Sequence, residues 1–145
     1  MAAGGGALPE HIVIADARRQ GREALDQLEA RCRAAGFLEP VVLELRLVAE
    51  EVLTNIARHG FEPGEMPVVE LLVSLSDAAA VLEFRDQGRA FDPLAQPPSD
   101  LDAPLEQRPL GGLGLTLVRA LVEEARYVRE GPTNVLRLVK RMGGR

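Results

Sequence analysis

The spacing of hydrophobic residues changes along the chain, and each change marks an element. Ile12, Val13 and Ile14, flanked by polar residues, predict a strand over Leu8–Ala15, at a sheet edge. Good helix formers follow over Arg18–Ala35, with apolar Leu25 and Leu28, and Gly36 ends the helix. Pro40 opens a second helix in its first turn, where a missing N–H does no harm. That helix runs to about His59, with Gly60 as its stop, and Val41, Leu45, Val48 and Val52 form one buried stripe. Val68–Leu75 and Ala80–Arg85 read as a hairpin turning at Ser76-Asp77. Asp86–Gly111 holds five of the ten prolines and no periodic pattern, which marks a long functional or disordered loop. A third helix is predicted from Gly112 to about Ala125, then two strands, Arg126–Arg129 and Asn134–Lys140, meeting at Gly131-Pro132.

This order, β-α-α-β-β-loop-α-β-β, predicts an α+β fold: a two-layer α/β sandwich with helices on one face of a mixed, mostly antiparallel sheet. The 145 residues fit a single domain, 1–145, with 1–7 as a flexible N-terminus. No internal repeat or domain boundary interrupts it.

Composition narrows the function. A formal charge of −5 and a scattered set of basic residues argue against direct nucleic-acid binding. One tyrosine, four phenylalanines and no tryptophan leave little surface on which bases could stack. No apolar run is long enough to span a bilayer, and the first ten residues do not read as a secretory signal. The single cysteine, Cys32, fits a reducing compartment, so a cytoplasmic protein is expected. Lys140 is the only lysine among 17 basic residues and follows Val139, not a glycine-rich turn. That excludes a Walker-type P-loop and a eukaryotic-type kinase, both of which place a lysine on nucleotide phosphates.

Three departures from pattern carry candidate chemistry. In the second helix, the apolar stripe continues onto polar Asn55 and His59, and Glu51 lies one turn before Asn55 on the same face. Glu50, five residues before Asn55, points about 140° away. Read alone, this is a polar shoulder with a histidine suited to the helix C-terminus. After the second hairpin strand, Asp86-x-Gly88 is either a simple turn or an acceptor beside a backbone that a flat ring can approach. Finally, Gly111, Gly112 and Gly114 lead into a helix, where backbone N–H groups can meet an anion. A flexible hinge is the plainer reading, and the dinucleotide fingerprint fails because Leu117 replaces its third glycine.

In order and spacing, Glu51-x-x-x-Asn55, Asp86-x-Gly88 and Gly112-Leu-Gly114-Leu resemble the N-box and two glycine boxes of the Bergerat-fold ATPases. That superfamily includes gyrase B and histidine kinase catalytic domains. Within it, the chain is most similar to the anti-sigma factor serine/threonine kinases of bacterial partner-switching systems. That resemblance runs from about Leu8 to Met142, through His59-Gly60-Phe61, Phe91-Asp92-Pro93 and Thr133-Asn134-Val135-Leu136.

The resemblance implies ATP and Mg²⁺ as cofactors, with residues 92–111 as an ATP lid. It makes Glu51 the general base and Asn55 both a nucleotide contact and the Mg²⁺ ligand. Asp86 would accept from the adenine amino group, beside a ring accommodated by Gly88. Gly112, Leu113, Gly114 and Leu115 would form the phosphate-binding helix start, with Arg108 as a γ-phosphate contact. Thr133 would lie near the adenine-binding aspartate. Ala90 stands where many relatives have a second glycine, which implies altered nucleotide affinity. The implied protein is a homodimer that sequesters a sigma factor or similar target and phosphorylates a STAS-domain anti-anti-sigma antagonist. A sequestering module without catalysis and a detached histidine kinase domain are the alternatives. The latter lacks, in this sequence, a helix pair bearing a phosphoacceptor histidine.

Overall fold

The computed structural model describes residues 9–95 and 112–142, with side chains from residue 116 onward in the second segment. The elements are β1 (Glu10–Ile14), α1 (Ala17–Ala34), α2 (Glu39–Gly60), β2 (Val69–Leu75), β3 (Ala79–Asp86), α3 (Gly112–Leu121), β4 (Glu124–Glu130) and β5 (Thr133–Arg141). A short 3₁₀ turn at Pro93–Ala95 follows β3.

Local chemistry explains the helix ends. Asp16 caps α1 by accepting from the Arg18 N–H, and Gly36 ends it with φ of 87°, in the left-handed region that glycine adopts freely. Pro40 lies in the first turn of α2, as its sequence position predicts. The third helix stops four residues earlier than its apolar pattern suggests. The Glu123 N–H donates to the Val139 carbonyl at 2.9 Å, so sheet pairing captures the chain before the helix can continue.

The five strands lie in the order β1-β2-β3-β5-β4, with β1 at an edge as expected. Every neighbouring pair is antiparallel, which corrects the mixed sheet predicted from sequence. Tight turns join β2 to β3 and β4 to β5, so both pairs must run antiparallel. β5 then inserts between β3 and β4, separating two strands that run in the same direction.

Among the described residues, helices α1, α2 and α3 cover one face. Alternate residues Ile12, Ile14, Val69, Leu71, Val73, Leu82, Phe84, Leu136 and Leu138 point beneath them and are almost fully buried. Leu25, Leu28 and Cys32 of α1 and Leu45, Val48 and Val52 of α2 close the core from above. Each large aliphatic buried here contributes about 1.5–3 kcal/mol relative to exposure. Val42, completely buried, is the core residue at the start of α2, whereas the predicted Val41 sits at the margin. Lys140 joins the layers at one end of the sheet: its Nζ donates to the Leu121 carbonyl at 2.8 Å and pairs with Glu44 at 2.9 Å. The opposite end, where β3 ends and β5 begins, holds the polar residues of the site.

Candidate functional site

Where the C-terminal half of α2 meets the β3 end, the apolar layer opens into a small cavity. Val52, Ile56, Phe91, Pro93 and Leu136 supply apolar walls, while Asn55, Asp86, Tyr127 and Asn134 supply polar groups. Helical spacing puts Val52, Asn55 and Ile56 on one side of α2, so Asn55, part of the polar interruption noticed in sequence, faces this cavity. Largely apolar walls with a few convergent polar groups are the usual construction of a small-molecule site.

Asp86 is the buried carboxylate of the cavity, only 6% exposed. Its Oδ1 accepts from the Gly88 N–H at 2.9 Å and from Asn134 Nδ2 at 3.0 Å. Burial pushes its carboxyl up from the ordinary aspartate range, against the opposing pull of Asn134, the Gly88 amide and nearby Arg129. Among the described residues Oδ2 accepts no hydrogen bond, so an acceptor remains available on a cavity-lining residue.

Gly88 has an internal reason to be glycine. A Cβ there would lie 2.5 Å from the Gly60 carbonyl oxygen and 2.9 Å from the Phe61 ring. Gly60 is the last residue of α2 rather than a stop beyond it, and its carbonyl accepts from the Arg89 N–H at 3.0 Å. The end of α2 and the turn after β3 are therefore packed backbone to backbone. His59 adds a second tie, its ring stacked on Phe91 with centroids 4.6 Å apart. Burial and Arg58 hold the His59 imidazole below its usual pKa, so the stack is formed by the neutral ring near neutral pH.

Glu51 lies one turn before Asn55 on α2, partly buried, outside the ring of residues that lines the cavity. Burial first, then the charge of Glu50, raises its carboxyl above the ordinary glutamate range. Ala90 is exposed and also lies outside the lining. Gly112, Leu113, Gly114 and Leu115 begin α3 as helical backbone, as predicted. Arg108 and most of the predicted lid, residues 96–111, lie outside the described residues.

Asn134, not Thr133, pairs directly with Asp86 in the β3–β5 ladder and donates to it. Successive strand residues point to opposite faces, so Thr133, opposite Glu130 at the hairpin end, is on the other side of the sheet. The strand pattern held a usable signal: Asn134 shares the face of Leu136 and Leu138, which marks it as a buried polar group. Tyr127 and Arg129, which back Asn134, carried no comparable mark, because β4 alternates weakly and only pairing with β5 brings them there.

Comparison with known proteins finds relatives along most of the chain. The family model described as histidine kinase-like ATPase domain matches residues 14–140. Serine-protein kinase RsbW of Listeria monocytogenes is 28% identical over 138 residues, covering 90% of this chain and 80% of that protein. The anti-sigma F factor of Priestia megaterium is 31% identical over 126 residues, covering 79% and 86% respectively. Serine/threonine-protein kinase BtrW of Bordetella bronchiseptica is 33% identical over 94 residues, spanning 65% of this chain and 66% of that one. The crystal structure of the RsbU and RsbW domains of Rv1364c from Mycobacterium tuberculosis shares the fold. Its TM-score is 0.64 at 20% identity, covering 93% of this chain and 32% of that longer one. On the extent of the family match, the chain belongs to the histidine kinase-like ATPase domain family.

Proposed function

We propose that this protein is an anti-sigma factor with ATP-dependent serine/threonine kinase activity, acting on a STAS-domain antagonist. The observation that carries this reading is the cavity at the α2–β3 junction, where a buried carboxylate has, among the described residues, one oxygen without a hydrogen bond beside apolar walls. The names of the relatives, serine-protein kinase and anti-sigma F factor, support the choice of kinase chemistry and of target class.

The residues present suit ATP and Mg²⁺. A buried acceptor-only carboxylate matches an exocyclic amino group, and the apolar walls match the faces of a base. Asn55 offers a neutral amide oxygen, and the described residues contain no group of three or more His, Cys, Asp or Glu that could hold a metal ion. A Mg²⁺ ion at Asn55 would draw the rest of its shell from phosphates and water. When bound, Mg-ATP supplies the transferable phosphoryl group and neutralises its charge.

The chain's own residues then do three things. Asp86 orients the base, and the N–H groups at the start of α3 face the phosphates with the positive end of the helix dipole. Glu51, whose raised pKa suits proton transfer nearer neutral pH, takes the proton from the antagonist's Ser or Thr hydroxyl. Phosphate on the antagonist adds about −1.5 to −2 charge at pH 7, which releases it from the contact surface. The protein then holds a sigma factor or similar target, as a homodimer in the cytoplasm, where such a target works. Among the described residues no helix is long and apolar enough to cross a membrane.

Capture followed by intact-mass measurement tests the proposal. The immobilised protein is offered lysate of its source organism, then Mg-ATP, and bound and released partners are weighed. A small STAS-like partner that gains one acid-stable phosphoryl group and leaves is the expected result. A partner that stays bound and never gains mass, with nucleotide shown in the cavity, would make this a sequestering module without catalysis.

A further inference from the structure

Asn134 uses every hydrogen-bonding group of its side chain inside the protein. Its Nδ2 donates to Asp86 Oδ1 at 3.0 Å and to the Arg89 carbonyl at 2.9 Å. Its Oδ1 accepts from the Tyr127 hydroxyl at 2.5 Å and from Arg129 Nη1 at 3.0 Å. Only one orientation of the amide satisfies this set. A guanidinium can only donate, and an ionised carboxylate and a carbonyl can only accept. A flipped amide would face donor to donor on one side and acceptor to acceptor on the other. Arg129 Nη1 also donates to the Gly88 carbonyl at 2.8 Å, so the same guanidinium holds the turn that carries the Gly88 amide.

We infer that Asn134 is a positioning residue for base selection: clamped by Tyr127 and Arg129, it engages Asp86 Oδ1 and leaves Oδ2 as a fixed acceptor toward the cavity. This rests on the reading of the cavity as a nucleotide site and goes beyond it, because it names the groups that set selectivity. Adenine presents an amino donor at the position where guanine presents a carbonyl acceptor. An ionised carboxylate with a fixed orientation accepts from the first and repels the second. Without the Asn134 donor, the carboxyl can rotate or hold a proton, and a protonated carboxyl can donate to the guanine carbonyl. The clamp therefore acts on the ratio of ATP to GTP affinity, not on affinity alone.

The test measures Kd for ATP and for GTP in the full chain and four variants, with thermal midpoints taken without nucleotide. Asn134→Val, which removes the donor, is expected to weaken ATP about tenfold and to narrow the ATP/GTP ratio by a similar factor. Asn134→Thr, whose hydroxyl can donate to Asp86, should recover most of that ratio. Tyr127→Phe keeps the ring and removes one hydrogen bond, and should narrow the ratio about threefold. If Asn134→Val does not fold, Tyr127→Phe decides alone. An unchanged ratio in that variant, equal loss of both nucleotides in Asn134→Val, or a threonine variant no better than valine would overturn the inference. Asp86→Asn separates the two levels. If it abolishes ATP binding while Asn134→Val keeps the wild-type ratio, the nucleotide site stands and the clamp falls. If Asp86→Asn binds ATP normally, the nucleotide reading itself fails.

Discussion

Asp86 and Asn134 sit opposite one another on β3 and β5, and the asparagine amide donates to Asp86 Oδ1 at 3.0 Å. Forty-eight residues separate them in sequence, yet this contact fixes a buried carboxylate of the cavity. Its surroundings decide when that carboxylate is charged, and hence when the cavity can hold an amino group.

Acidification should weaken ATP binding at a higher pH than an ordinary aspartate would allow. Burial raises the Asp86 carboxyl, and only its ionised form accepts from the base, so affinity falls as pH drops through that raised value. Stability of the free protein has the opposite sign. The folded state holds this proton more tightly than the unfolded chain, so the Asp86 contribution to stability grows on acidification and is lost as pH rises through the raised pKa. ATP titrations of the wild type across pH test the first statement. Melting curves of wild type against Asp86→Asn, which cannot titrate, test the second. An affinity limb in the ordinary aspartate range would contradict both.

Glu51→Ala is expected to reduce phosphotransfer by two to four orders of magnitude, the usual scale of general base catalysis, while ATP binding stays near wild type. The acid limb of the wild-type rate should lie above the ordinary glutamate range, because a protonated Glu51 cannot act as base. Glu50→Gln removes a neighbouring negative charge that raises Glu51, so that limb should move to lower pH. A pH–rate profile of kcat in the three proteins settles it; full transfer by Glu51→Ala would remove Glu51 from the mechanism.

Asn55 is partly exposed at the cavity wall, so Asn55→Ala should cost little stability, within about 1 kcal/mol. Mg-ATP affinity and transfer should fall more, and ATP affinity without metal should fall less. Calorimetry with and without Mg²⁺ gives the comparison. Equal loss under both conditions, matched by a lowered melting point, would instead make Asn55 a structural amide.

Three glycines should respond differently to alanine. Gly88→Ala drives a Cβ to 2.5 Å from the Gly60 carbonyl and 3.0 Å from Asp86 Oδ1, and should destabilise by about 1–3 kcal/mol or more. Gly21 lies within α1 with nothing within 4 Å of its Cβ position, and Gly21→Ala should stabilise by about 0.5–1 kcal/mol. Gly64→Ala, also in open space, should change stability by less than about 0.5 kcal/mol. Denaturant melts of the three variants distinguish backbone contact at Gly88 from a general cost of added methyls.

The sequence by itself determined the elements and marked two polar residues of the cavity, Asn55 and Asp86. The ends of α1 and α2 lie within about a residue of the positions read from sequence, because Gly36 and Pro40 act on the backbone locally. The sequence also singled out Asn55, Asp86 and Gly88, since each breaks an apolar period or sits at a strand end. Tertiary structure decided what local pattern cannot carry. Strand partners are chosen by contacts between distant segments, so the wholly antiparallel order and the early end of α3 follow from pairing with β5. The same ladder sets Asn134 opposite Asp86 and turns Thr133 to the other face, because side chains alternate faces and a one-residue step changes sides. It also brings Tyr127 and Arg129 of an edge strand onto that amide, where hydrogen-bond geometry, rather than periodicity, assigns them their place.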